Sequence, residues 1–234
     1  MGIPPSALQI ISDMAKENMF TILPKKIIEL GTQEVHCKNS DLIDHLFDTF
    51  CVNQDQRQSI SFGEKARNLF EILGFVYECI DLDGAEKTQG WDINTVKCPQ
   101  EFYEQFSLTT NHGTTEHLID QKNAFELIHD LTMVGGYMMH TVPCTGQVHH
   151  GFFSYSPILF FSLANANNYN IEYFFLTDLN QLIPYESDIM PSFSYIVTVM
   201  QKTQSKPFQL PLQIWDTSNL QYIDPRQTYV DRLN

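Results

Sequence analysis

Positive charge is scarce in this chain. Fourteen Lys and Arg stand against 28 Asp and Glu over 234 residues, for a formal net charge of −14. Binding to nucleic acid through phosphates is carried by Lys and Arg, so a nucleic-acid partner is not expected. Paired cysteines are missing as well. The five present (Cys37, Cys51, Cys79, Cys98 and Cys144) are odd in number, scattered, and form no C-x-x-C pair, which argues against a disulfide framework or a zinc knuckle and for a reducing, cytoplasmic setting. No run approaches the ~18 apolar residues of a membrane helix. The first twenty residues carry Asp13 and Glu17 and have no basic leader segment. Met1-Gly2 followed by Ser6 fits a lipidation pattern only superficially, because Pro4 and Pro5 intervene and no second membrane signal accompanies it. A P-loop, a G-x-S-x-G elbow and a G-x-G-x-x-G fingerprint are all absent, which sets aside nucleotide hydrolysis, serine hydrolysis and, with less force, a nucleotide-binding oxidoreductase.

What remains is a chain with a core. Apolar residues make up 43%, aromatics 12% and charged residues 18%, the profile of one globular α/β domain. Leu8, Ile11, Met14 and Ala15 mark an amphipathic helix over 6–18. Lys25 to Leu30 reads as a buried strand broken at Gly31, and Asn39 or Ser40 caps a helix over 41–50. A further helix, 63–73, ends at Gly74. Strands follow at 75–80 and 106–110, then a helix over 116–131 and a strand over 137–142. A helix at 157–167 and strands at 171–176 and 195–201 complete the domain, the last expected at a sheet edge. A single domain over 1–205 with an extended tail over 206–234 is expected. Alternating strands and helices imply βαβ units, a mostly parallel sheet and ligands outside the carboxyl ends of its strands.

Those ends are Glu29-Leu30-Gly31-Thr32-Gln33, Asp81-Leu82-Asp83, Asn111-His112-Gly113 and Val142-Pro143. A glycine directly after a strand lets backbone approach a ligand, and an acid ending the next strand can accept from a ribose diol. Each piece alone also suits a plain structural role: Gly31 as a turn glycine, Asp81 and Asp83 as caps or solvated turn residues.

The order ELG, IDLDG, WDIN, TNHGTTEH and HDLTMVGGYMMHTVP resembles class I S-adenosylmethionine-dependent methyltransferases from about residue 25 to residue 201. The resemblance implies a Rossmann-like fold: a seven-stranded, mostly parallel sheet with an antiparallel closing strand and helices on both faces. It implies S-adenosylmethionine as cofactor, with Glu29, Gly31, Thr32 and Gln33 beside its methionine part. It also implies Asp81, Leu82 and Asp83 at the ribose, Asp92 and Ile93 at the adenine, and Asn111, His112 and Gly113 beneath the sulfonium. The family's turn usually reads E-x-G-x-G-x-G, whereas here only the first glycine is kept. The long gap from Glu29 to Asp81 implies an extra helix between the first two strands.

Methyl transfer needs a positioned nucleophile and sometimes removal of its proton, for which histidine, with a pKa of ~6.5, is suited. The candidates are His149, His150 and His117, with His112 also near a strand end; the loop over 143–157 adds Phe152, Phe153 and Tyr155 as walls of an acceptor pocket. Glu116 reads as a first-turn acid favoured by a helix dipole. His140, His149 and His150 lack metal-ligand spacing, so no metal is expected. The function implied is methylation of an oxygen or nitrogen of a small molecule. The alternative is a methyltransferase-like module that has lost catalysis.

Overall fold

The computed structural model describes residues 2–21, 23–57, 60–82, 88–185 and 190–213. The chain opens with a two-residue strand, β1 (Gly2–Ile3), and a helix, α1 (Pro5–Lys16), which starts on Pro5, where the missing N–H costs nothing. Strand β2 (Lys26–Leu30) runs to Gly31, and β3 (Glu34–Val35) turns back to pair in parallel with β1. Helix α2 (Ser40–Thr49) is capped by Asn39, whose side chain accepts from Asp41 N and Leu42 N. Helix α3 (Ala66–Ile72) leads into β4 (Val76–Ile80), so two helices occupy the long interval between the first two sheet strands. Then come β5 (Phe106–His112), α4 (Gln121–Leu131), β6 (Thr132–Thr145), α5 (Pro157–Asn167), β7 (Asn170–Thr177), β8 (Leu182–Pro184) and β9 (Ser194–Gln201).

Seven strands form one sheet in the order β4-β2-β5-β6-β9-β7-β8. The pairs β2–β4, β2–β5 and β5–β6 are parallel, and β6–β9, β9–β7 and β7–β8 are antiparallel. Five strands therefore share one direction and two, β8 and β9, oppose it. Alternate residues of each strand go to opposite faces. Ile27, Tyr77, Leu108, Met139 and Val197 pack with α1, α2 and α3, whereas Ile28, Ile80, Met138, Val142 and Ile196 pack with α4 and α5. Helices cover both faces, and the fold is the Rossmann-like architecture with an antiparallel closing strand that the resemblance implies.

Three local expectations change. Strand β9 lies inside the sheet between β6 and β7, with every residue from Ser194 to Met200 buried; its Thr198 hydroxyl is absorbed by Tyr173 O at 2.8 Å, so its polar positions are not solvent-facing ones. The helix expected from Glu116 starts at Gln121, because Asp120 captures Asn123 N at 2.8 Å and acts as its N-cap, leaving Thr115–His117 as a separate 3₁₀ turn. Gly135 and Gly136 lie within β6, which begins directly after α4. The described part of the tail, 206–213, runs extended, and Asn167 holds Gln209 through its N–H and its carbonyl. Among the described residues no helix is long and apolar enough to cross a membrane.

One of the ionisable groups that the sheet buries lies at the end of β2. Glu29 is fully buried, accepts from the Tyr77 hydroxyl and takes a second hydrogen bond from Thr110 Oγ1 at 3.4 Å. Loss of hydration pushes its carboxyl up to about 8, with both hydroxyl bonds opposing the shift. A carboxyl that is harder to ionise in the folded state holds its proton there over a range in which the unfolded chain releases it. Its stabilising contribution is full below about pH 4.5 and is lost as the pH rises toward 8. Glu29→Gln keeps an acceptor for Tyr77 and removes the titration. Thermal unfolding of the variant between pH 5 and 8 should show a flatter decline than wild type, with a gain of ~1–3 kcal/mol at pH 8; identical slopes would mean that Glu29 is ionised in the fold.

Candidate functional site

The order β4-β2-β5 creates a switch point. Chain leaving β2 crosses to β4 on one side, while β5 docks on the other, and a crevice forms between their carboxyl ends. Gly31, with φ +77°, turns the chain there. The next residue, Thr32, donates its N–H to Asp81 Oδ2 at 2.8 Å, tying the end of β2 to the end of β4. Asp81's other oxygen has no hydrogen-bond partner among the described residues. Leu82 is exposed, and Asp83 lies outside the described residues. On the β5 side, Thr114 Oγ1 donates to Leu30 O at 2.6 Å, and Gln33 Nε2 donates to the same carbonyl at 3.2 Å. Glu29 is withdrawn under this rim by its bonds to Tyr77 and Thr110.

The end of β5 is organised by Asn111. Its Oδ1 accepts from Thr114 N at 3.3 Å and Thr115 N at 3.1 Å, which fixes the amide orientation. Its Nδ2 then donates to Thr115 Oγ1 at 2.8 Å and faces His140 Nδ1 at 3.2 Å. Gly113 follows at φ +76°. The WDIN stretch docks beside the same turn: Asn94 Oδ1 accepts from Ile119 N and Asp120 N, Asp92 Oδ1 accepts from Asn94 N, and Ile93 is buried. The expected adenine and sulfonium residues therefore adjoin through the 3₁₀ turn and its exit.

Beyond Asn111 the turn presents Glu116. Its side chain is 0% exposed, and the helix whose first turn it was expected to occupy starts only at Gln121. Glu116 Oε1 lies 3.3 Å from His150 Nε2 and 4.0 Å from His117 Nε2, and the two imidazoles are 5.3 Å apart between centroids. Glu116 Oε2 is buried with no hydrogen-bond partner. Burial pushes the Glu116 carboxyl up to about 7 and the His117 imidazole down. The loop after β6 is clamped to this turn: Phe152 N and Phe153 N donate to Glu116 O at 2.8 and 3.2 Å. Gly151 permits the approach, since a Cβ there would sit 2.9 Å from Glu116 O. His117 and His150 thus meet across 33 residues of chain, while His149 is exposed on the loop.

A cavity of about 230 Å³ opens next to this group, lined by His112, Thr141, Tyr195, His36 and the 178–180 loop. His112 Nδ1 is 3.0 Å from Thr141 Oγ1, and its Nε2 is buried without a partner. Desolvation drives His112 down to about 3, so it stays neutral. Tyr195 stands edge-on to His150 at 6.2 Å, so one ring borders both the cavity and the Glu116 group. Tyr195 and Thr141 carried no signal in sequence, because a buried strand reads the same whether or not its end lines a cavity.

No family model matches the chain, and no curated protein does. Solved structures share its chain trace at low identity. A putative sarcosine dimethylglycine methyltransferase from Galdieria sulphuraria is 11% identical, with 83% of this chain and 86% of that one covered at a TM-score of 0.49. The Burkholderia thailandensis 1,6-didemethyltoxoflavin-N1-methyltransferase, bound to its namesake and S-adenosylhomocysteine, is 9% identical over 82% of this chain and 78% of that one, with a TM-score of 0.44. A geranyl diphosphate methyltransferase in complex with SAM is 9% identical over 83% of this chain and 85% of that one, at 0.45. These are likenesses of fold, and the assignment of this chain to a Rossmann-like fold of the class I methyltransferase type rests on its own strand order.

Proposed function

We propose that the protein is an S-adenosylmethionine-dependent methyltransferase that methylates an oxygen or nitrogen of a small molecule. The observation that carries this reading is the Thr32–Asp81 link across the switch point, with one Asp81 oxygen committed to Thr32 N and the other without a partner among the described residues. A carboxylate so placed, beside a positive-φ glycine and opposite the Asn111 turn, fits a ribose diol. Asp81, Leu82 and Asp83 would hold the ribose, Gly31, Thr32 and Gln33 the amino-acid part, Asp92 and Ile93 the adenine, and Asn111, His112 and Gly113 the floor. Glu29 would support the turn from beneath. Bound there, the cofactor supplies an electrophilic methyl group.

The chain's own residues supply position and proton management. The cavity at His112 and Tyr195 would take the acceptor. Neutral His112 offers it a hydrogen bond through Nε2, its one unpartnered ring nitrogen. The proton of the acceptor would leave at the end of the site formed by Glu116, His117 and His150, and His149 would serve at the exposed edge of the same loop. The deficit of positive charge favours a neutral or cationic acceptor over a nucleic acid. Five free thiols fit a reducing, cytoplasmic setting.

Calorimetric titration with S-adenosylmethionine and S-adenosylhomocysteine tests the cofactor. Wild type should bind both, and Asp81→Ala should weaken each by at least ~10-fold through loss of charge-assisted bonds to the ribose. Absence of heat at millimolar ligand would overturn the reading; unchanged affinity in the variant would move the ribose elsewhere.

Catalysis is read separately, as S-adenosylhomocysteine released over a panel of hydroxyl and amine acceptors. His150→Ala and His117→Ala should each lower turnover by at least ~10-fold while cofactor affinity stays within about twofold. His149→Ala should cost less than either. Equal activity in all three variants would remove the histidine-bearing loop from the chemistry.

A further inference from the structure

Glu116, His117 and His150 share a feature that hydrogen bonding among themselves does not use. One ligand atom from each lies within 4.8 Å of the others, in an arrangement of two imidazoles and one carboxylate. The carboxylate is fully buried and leaves Oε2 without a hydrogen-bond partner, so the group has acceptor capacity that the protein's own donors do not fill. Its ion-pair partners among the described residues are the two imidazoles.

We propose that these three side chains bind one divalent transition-metal ion, zinc or a metal of similar ligand preference. Ligands ~2.0–2.2 Å from a tetrahedral ion lie ~3.4 Å from one another. The Glu116 Oε1–His150 Nε2 separation of 3.3 Å already has that value, and the 4.0 Å to His117 needs only a small shift. His117 has room for it, with 47% of its side chain exposed, against 27% for His150. The supporting shell is in place. The two N–H groups on Glu116 O hold the ligand-bearing loop, and Gly151 lets it lie close against the Glu116 backbone. Three protein ligands leave a fourth position open, the pattern of a site that takes a water or a substrate atom and polarises it.

This deepens the methyl-transfer reading, on which it rests only for its use. The acceptor class becomes one whose oxygen or nitrogen can coordinate a metal, which would lower its pKa so that a water molecule can take its proton. Metal binding itself needs no cofactor.

The full-length protein, stripped with a chelator, is titrated with Zn²⁺ by calorimetry and with Co²⁺ by visible absorption, without S-adenosylmethionine. One equivalent should bind in the micromolar range or tighter, with cobalt bands of a four- or five-coordinate ion. Glu116→Gln and His117→Ala should each weaken it by at least ~30-fold; His45→Ala, at an exposed position on α2, should not. His117→Ala removes a half-exposed ring, so it keeps the test valid if Glu116→Gln fails to fold, and Zn²⁺ should raise the Tm of wild type but not of His117→Ala. No stoichiometric binding, or binding indifferent to both substitutions, overturns the proposal. Failure to bind metal with S-adenosylmethionine still bound would strike the metal and leave the methyltransferase reading standing; the converse would do the reverse.

Discussion

The side chain of Asn111 is the joint on which the site depends. One buried amide satisfies two backbone N–H groups of the following turn, donates to Thr115 and meets His140 on the neighbouring strand. Thr115 in turn lies 2.9 Å from Tyr155 Oη, which reaches Gln121 Oε1 at 2.7 Å. The end of β5, the 3₁₀ turn, the loop after β6 and the start of α4 are thereby fastened through four side chains. Glu116 follows Thr115 directly, so its orientation is inherited from that network. Removing the amide would orphan several buried polar groups together, each costing ~1–3 kcal/mol, which exceeds what any single contact in the cluster contributes.

That network explains why the middle of the sheet tolerates so much buried polarity. Thr109, Thr110, Asn111, His112, His140, Thr141 and Thr198 are all buried on three adjacent strands. Thr132 and Thr198 return their hydroxyls to backbone carbonyls, and His140 and His112 are kept neutral by desolvation, both down to about 3. Neutral imidazoles cost far less to bury than charged ones. Among the described residues, Gln33 Oε1, His112 Nε2, Glu116 Oε2 and Gln147 Nε2 are buried without a partner at or beyond the strand ends, and His140 Nε2 beside Asn111.

How much of this was legible follows from what kind of signal each feature leaves. Strand and helix order is written in local periodicity; the ends of β2 and β4 fell where expected, while β5 runs two residues past Thr110 and β6 three past Val142. The faces of the sheet could be read from alternation, as Ile27 and Ile28 show. The inner place of β9 could not: a strand's rank in a sheet depends on its neighbours, and Tyr195 to Gln201 carries no mark of them. Glu116 looked like a helix start because a helix does follow, but Asp120 competes for the cap and wins by its bond to Asn123 N. The meeting of Glu116 with His150 spans 34 positions, through a backbone clamp that no spacing rule describes. His149 and His150 are indistinguishable as letters, and it is the turn closed by His150 N on Gln147 O that leaves His149 exposed and His150 beside the carboxylate.

The missing glycines have a structural cause. Residues 33 and 35, where a second and third glycine would stand in an E-x-G-x-G-x-G turn, are Gln33 and Val35, and both are buried. Val35 belongs to β3, paired with Ile3 of β1, and Gln33 bonds back to Leu30 O. The chain after Gly31 therefore runs out as a strand under the N-terminal segment and reaches a helix only at Ser40, instead of folding at once into a helix that needs close backbone approach. Gly31 alone must take a positive φ, and a Cβ there would meet Thr114 Oγ1 at 2.7 Å. One glycine is retained because one position has no room for a side chain. The shape that further glycines would confer on such a turn comes instead from a strand pair and from Thr114. A ligand entering the crevice would then meet Asp81 and the Thr114 hydroxyl more than bare backbone.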